Sequence, residues 1–321
     1  MTALAYFLTF LKNAIYGTTN FFTKGLNENN LDAIEILALR FLLSFVILWF
    51  LKITRIVKIN VGFKDVIKKT DRHVFIKPLI LAALFSPVVE MLFETTGFTK
   101  TSAVTAGVIL SLMPIFACII ESLILKEGTT TLQKIFLILG VIGVIYIGIN
   151  TNTADGNDTV FGIICLLIAT VAGPAYLVFS RKSAGKFTSL EITYFSCFLG
   201  TIVFNFINVV KHLWQGNICD YFKPYFDLQN WLGFITLSII STIFCTLMNN
   251  FSMSKLQAST VAAFSGVSTI VTIVVGVVFL DEKLYYFHYI GFALILIRMI
   301  GVSYIAIKKD KKHLQNSKDS L

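Results

Sequence analysis

Residues 100–127, KTSAVTAGVILSLMPIFACIIESLILKE, and residues 255–282, KLQASTVAAFSGVSTIVTIVVGVVFLDE, are two copies of one pattern. Lys100, Ala103, Thr105 and Glu127 recur at Lys255, Ala258, Thr260 and Glu282, each 155 residues later. Upstream, Ala33-Ile34-Glu35-Ile36 returns as Ser189-Leu190-Glu191-Ile192 after 156 residues, and Gly17 answers to Gly173. An offset held this constant marks an internal duplication. Each copy is an apolar stretch of the ~20 residues that cross a hydrocarbon layer, so the duplicated unit is built of membrane-spanning helices.

Composition agrees with that reading. Of 321 residues 56% are hydrophobic and only 14% charged, with a mean hydropathy of +0.78. A soluble domain carries about a quarter charged residues, and this chain lacks the polar material to cover a water-facing surface. Apolar windows predict ten helices, near 4–22, 32–51, 75–94, 102–125, 133–149, 160–180, 188–210, 231–251, 258–280 and 285–307. The first has Lys12 and Asn13 at its centre and no small-residue cleavage site, which makes it a retained helix rather than a signal peptide. The expected fold is thus an all-α integral membrane protein of ten transmembrane helices in two halves, 1–151 and 156–307, followed by a basic tail at 308–321. Five crossings are an odd number. The second half enters the membrane from the opposite side, and the repeats are inverted.

Cytoplasmic loops retain Lys and Arg. With the N-terminus inside, the inner segments hold nineteen of these residues, including Lys64 to Arg72 and five tail lysines. The outer segments hold five, namely Lys24, Lys100, Lys211, Lys223 and Lys283. Both termini are therefore expected in the cytoplasm of a multi-pass protein, most simply in the cell membrane. The net charge of +9 follows from this topology and implies no nucleic-acid partner. Lys64 to Arg72 reads as a solvated loop, with anionic lipid headgroups as the alternative partner.

The pattern resembles the EamA-type transporters of the drug/metabolite transporter superfamily. Ile15-Tyr16-Gly17-Thr18-Thr19-Asn20-Phe21 is similar to that family's aromatic-Gly-small-x-Asn-Phe segment, and Leu39-Arg40-Phe41 to its Arg-Phe pair. The two repeat ends, with Gly140-Val141-Ile142-Gly143 and Gly291 beyond them, resemble its small-rich helix followed by a glycine-containing one. The resemblance implies ten helices in two inverted five-helix repeats, a central cavity, and exchange or efflux of small metabolites. The chain departs from the family at Arg298, in the long loop 52–74, and at Glu90 and Glu94, whose counterparts are Cys245 and Asn249.

Charged groups inside a bilayer cost ~2.5–3.5 kcal/mol each and tend to face a cavity or one another. Lys12, Arg40 and Arg298 fall near the midplane, with Glu90 further out and Glu94 one turn beyond it. If the three cations converge, they leave an excess of positive charge suited to a carboxylate or phosphate. In the competing reading, Arg40 pairs with Glu90 or with backbone carbonyls, and Lys12 snorkels to the interface. A buried carboxylate such as Glu90 also offers a route to proton coupling. By analogy Tyr16, Asn20, Asn249 and Asn250 face the cavity, although hydrogen bonding between helices explains them equally well. Small residues at Ala103, Gly107 and Ser111, and at Ala258, Ala262 and Gly266, form stripes expected at the bundle centre. Pro87, Pro114 and Pro174 lie within spans and can kink them.

The expected solute is a small polar metabolite such as an amino acid. The expected partners are that small molecule and the lipid bilayer, with a homodimer open as an assembly. No H-E-x-x-H or G-x-S-x-G occurs, the four histidines are dispersed, and no glycine-rich phosphate loop is present. The five cysteines lack C-x-x-C spacing and read as small core residues. No catalytic, cofactor or metal site is therefore expected. An uncoupled channel, an intramembrane enzyme and a non-transporting receptor are the alternatives. Reporter fusions at residue 155 and at the carboxyl end should fall on opposite sides of the membrane, and a same-side result would refute the inverted duplication.

Overall fold

The computed structural model describes residues 2–57, 73–125, 159–184 and 186–280, with scattered positions between 130 and 146 and between 285 and 305. Glu127, Glu282, most of the basic stretch after Lys52 and the 308–321 tail lie outside the described residues. Among the described residues all regular structure is helical. Most of the fifth and tenth spans is not described, but the positions that are described there are helical, including an apolar segment Tyr289–Arg298. With the eight spans below they fit an all-α membrane fold of two repeats.

The first span consists of α1 (Thr2–Tyr16) and α2 (Thr19–Glu28). The second is α3 (Ala33–Ile53). The third runs through α4 (His73–Ala83), a π-helical turn at Leu84–Val89 and α5 (Glu90–Phe98). The fourth is α6 (Ala103–Leu110) and α7 (Met113–Ile124). The sixth is α8 (Val160–Ser183) and the seventh α9 (Ser189–Gln215). The eighth joins α10 (Trp231–Ile235) to α11 (Thr246–Met253) through a π-helical stretch at Thr236–Cys245. The ninth is α12 (Ala258–Ala263) and α13 (Ser265–Phe279).

Several spans expected to be single helices are thus broken, and the breaks recur at equivalent places in the two repeats. The third and eighth spans both widen to π geometry. The fourth and ninth are both interrupted midway, at Ser111–Leu112 before Pro114 and at Phe264. Pro87 follows an extended Ser86 (φ −141°, ψ 120°) and marks a true kink, whereas α8 continues through Pro174.

Packing follows the duplication. The second span lies against the seventh, and the fourth against the ninth, so each meets its own counterpart. The third packs on the sixth and the first on the eighth, which are again equivalent pairs. Where the fourth and ninth spans cross, α6 packs on α13 and α7 on α12, with Gly107 against Thr269 and Ile273 and the Thr269 hydroxyl donating to the Gly107 carbonyl at 3.1 Å. Gly17 has a similar role. A β-carbon there would collide with Val271 and the Ser268 carbonyl, so glycine permits the first span to touch the ninth. The duplicated Ala33–Ile36 and Ser189–Ile192 segments are helix starts. Asp32 with Glu35, and Thr188 with Glu191, form reciprocal capping boxes on α3 and α9.

One buried ion pair ties the repeats together. Glu121 in α7 accepts from Arg181 Nη1 at 2.7 Å and from the backbone amides of Ala258 and Ser259 at 2.8 and 3.0 Å. Its carboxylate neutralises the start of α12, where unpaired N–H groups and the helix dipole favour negative charge. Glu121→Ala would leave the amides of Ala258 and Ser259 without their acceptor and remove the carboxylate that faces Arg181. It should lower stability by about 3–5 kcal/mol, as other broken buried pairs do. Thermal unfolding of purified protein checks this, with Glu121→Gln expected to fall in between.

Candidate functional site

Six spans enclose a central cavity of about 80 Å³. At about 10–15 Å³ per water, that is room for a few waters or the polar head of a small metabolite. The first and sixth, third and eighth, and fourth and ninth spans supply the walls, so three equivalent pairs surround it.

The polar lining is concentrated on three of these spans. From the first come Lys12, Asn13 and Tyr16; from the third Ser86, Glu90 and Glu94; from the eighth Cys245, Thr246 and Asn249. The Lys12 ammonium donates to Asn249 Oδ1 at 3.2 Å and lies 5.4 Å from the centre of the Tyr16 ring. The ammonium is thus fixed between the first and eighth spans by a hydrogen bond and a cation–π contact. Glu90 directly follows the π turn, and its carboxylate lies against Gly173, where any β-carbon would collide with it. Gly17 and Gly173 are therefore both close-approach glycines, one between spans and one beneath the carboxylate.

Of the residues expected at the site, Tyr16, Asn249, Lys12, Glu90 and Glu94 line this cavity. The other four are placed elsewhere. Arg40 is buried in the second span and donates to Thr242 Oγ1 at 2.5 Å and Ser241 Oγ at 2.9 Å, in the π stretch of the eighth. It pairs with hydroxyls there, and neither Glu90 nor a carbonyl is its hydrogen-bond partner. Asn250 accepts from Tyr176 and Ser180 at 2.6 and 2.7 Å and donates to Thr193 at 3.0 Å, joining the sixth, seventh and eighth spans. Arg298 is fully buried and donates to the Ser111 carbonyl at the break in the fourth span. Asn20 is buried with neither side-chain polar atom paired.

The expected convergence of three cations therefore does not occur at the cavity. Its charged lining is one lysine and two carboxylates, the reverse of the anticipated balance. Arg40 sits where it does because the π stretch turns Ser241 and Thr242 toward the second span, a local geometry that hydropathy does not reveal.

The sequence reading did not single out Ser86, Met113, Tyr176, Ser265 or Ser268, which also line the cavity. Nor did it single out Glu121. The Gly17–Gly173 match was a usable signal for the close approach at Glu90, and a lone acid in an apolar run was one for Glu121.

Gly173→Ala tests the cavity separately from the fold. The added methyl meets the flexible end of Glu90 and the tip of Met113, which can move aside, so insertion and assembly should survive. Displacing the carboxylate by even ~1 Å should reduce transport or ligand-induced stabilisation about tenfold. Unchanged function would show that Glu90 does not act from this position.

The EamA-like transporter family matches residues 3–149 and 160–304, one match in each half of the chain. An uncharacterized transporter of Bacillus subtilis (strain 168), YcxC, is 30% identical over 96% of this chain and 95% of that protein. An uncharacterized transporter of Archaeoglobus fulgidus is 26% identical over 70% of this chain and 75% of that one. A solved crystal structure superposes with a TM-score of 0.64 at 15% identity, covering 94% of this chain and 98% of its own, a likeness of fold alone. With both repeats matched, the chain belongs to the EamA-like transporter family of the drug/metabolite transporter superfamily and is a membrane transporter, not an enzyme.

Proposed function

We propose that this transporter carries a small, amine-bearing polar metabolite, of the size of an amino acid, by alternating access, with protons moving in exchange. The observation that supports this most is the cavity lining. Two carboxylates one helical turn apart on the third span face a single lysine that is already engaged by Asn249. An ammonium group on the substrate is the natural counter-charge for Glu90 and Glu94. Protons can occupy the same carboxylates when the substrate is absent, since two acids this close in low dielectric disfavour double ionisation.

Lys12, Tyr16 and Asn249 would bind the substrate's remaining polar groups, while Arg40, Asn250 and Arg298 brace the surrounding helices. The matched breaks in the third and eighth and in the fourth and ninth spans supply two near-equivalent arrangements of the bundle for alternating access. Export across the cell membrane, with both termini cytoplasmic, is favoured by the family and by the lysine and arginine distribution.

Flux in proteoliposomes tests the reading. A pH gradient should drive accumulation of the amine-bearing solute against its own gradient, which an uncoupled channel cannot do. Glu90→Gln and Glu94→Gln should each abolish pH-driven accumulation while leaving downhill exchange measurable. Accumulation that persists in both variants would refute the coupling role.

A further inference from the structure

We propose that the connector between the seventh and eighth spans, residues 216–230, is an interfacial plate that sinks its exposed aromatic face into the lipid leaflet beside it. Its partner is the headgroup–acyl boundary of the bilayer, and the inference is independent of what the transporter carries.

Hydropathy leaves 211–230 outside the spans, as a connector for water to surround. The structure folds it back onto the bundle. After the left-handed Gly216 (φ 69°) that ends α9 come a 3-10 turn at Ile218–Asp220, a one-turn helix at Lys223–Phe226 and a second 3-10 turn at Leu228–Asn230. From this segment the Tyr221 hydroxyl donates to Asn205 Oδ1 and the Tyr225 hydroxyl to the Leu39 carbonyl. Asn205 lies ten residues before Gln215, about 15 Å down α9, and Leu39 seven residues past Asp32, about 10 Å into α3. A tyrosine side chain is shorter than either length, so the connector lies against the last turns of α9 and does not stand above them. Asn230 accepts from Asn29 at 2.8 Å, and the Trp231 indole donates to the Tyr225 carbonyl at 2.9 Å, which fixes the segment to the first span and to itself.

That level is the membrane surface. The 27 residues of α9 measure about 40 Å, against ~30 Å of hydrocarbon, so its last turns stand among the headgroups. Lys211 pairs there with Asp32 and, at 3.1 Å, with Glu35. At this depth the connector presents two faces. Tyr221 and Tyr225 turn inward, onto Leu26, Leu39 and Phe234. The outward face is apolar: Phe226 is 86% exposed and Leu228 83%, with Ile218 and Phe222 exposed beside them. Trp214, 95% exposed, and Trp231 stand at its two ends, and tryptophan favours the level where hydrocarbon meets headgroups.

Lipid is the occupant that this face fits, because the patch continues into surfaces that the bilayer already covers. Phe206, Val210 and Leu213 on α9 and Leu232 on α10 are exposed on the flanking spans. Asp220, Lys223 and Asp227 are the charged residues of the connector, too few and too nearly balanced to recruit a charged protein. An apolar face on a segment lying in the plane of the interface is how a chain rests on a membrane without crossing it. Through Tyr225 and Asn230 the plate also sets the depth at which the first and second spans meet the leaflet.

Nitroxide collision accessibility in proteoliposomes tests this. Cys219 is the one exposed cysteine of five, so Cys219→Ser leaves four buried thiols as a background for single labels. Labels at Phe226→Cys and at Leu228→Cys should collide more often with oxygen, which concentrates among acyl chains, than with a water-soluble nickel chelate. They should match a label at Phe206→Cys, which serves as the lipid-facing reference on α9. Chelate collisions that outnumber oxygen collisions at both connector positions, with the Phe206 label still in lipid, would place the connector in water and overturn the plate. Low collision rates with both reagents would mean that protein, such as a second copy of this chain, covers the face, and would overturn it equally.

Discussion

In a bilayer there is no water to satisfy a backbone group that a helix leaves free, and the architecture of this transporter follows from that constraint. At three of the breaks a side chain from another span supplies a partner to a backbone carbonyl. Thr272 donates to the Gly17 carbonyl at 2.9 Å where the first span is interrupted. Arg298 donates to the Ser111 carbonyl at the break in the fourth, and Ser44 to the Ser238 carbonyl at 2.9 Å in the π stretch of the eighth. Breaking the helices is what lets side chains and backbone ends face an interior cavity. Those cross-span hydrogen bonds also hold the bundle together, since apolar contact alone gives little drive for association in lipid.

Duplication supplies the frame, and the chemistry comes from the positions where the copies differ. Glu90 and Glu94 correspond to Cys245 and Asn249, so the pseudo-twofold axis sets two acids against a thiol and an amide. Had both copies kept the acids, four carboxylates would share one small cavity and repel. With Asn249 in place of the second acid, Lys12 gains a neutral acceptor that ties the first span to the eighth. Glu121 is similarly unmatched, because its counterpart is Gly276. The clasp therefore exists at one end only, which gives the two otherwise similar packings different energies.

The fold was legible in the sequence because its signals are long. Spans of about 20 apolar residues, the 155-residue offset and the Glu35 and Glu191 helix starts each survive uncertainty in any single residue. The site was legible only in part. Charge inside a span drew attention to Lys12, Glu90 and Glu94, which line the cavity, because burying charge is costly wherever it occurs. The same rule could not separate Arg40 and Arg298 from them. Whether a buried guanidinium faces ligand or backbone depends on a rotation set by breaks and π turns, and those leave no trace in hydropathy.

The division between satisfied and unsatisfied polar groups also explains how such a bundle can change state. Arg40, Ser44 and Asn250 have their partners within the helices they join, and these contacts cost energy to separate. They act as fixed struts within a moving unit. The cavity groups are different, since the Ser265 hydroxyl lacks a partner among the described residues and the paired acids share the cavity lining with Lys12. Under the proposed carrier reading, a ligand that completes these groups would stabilise whichever packing closes around it. Differential stabilisation of this kind is what a carrier needs in order to exchange sides only when loaded.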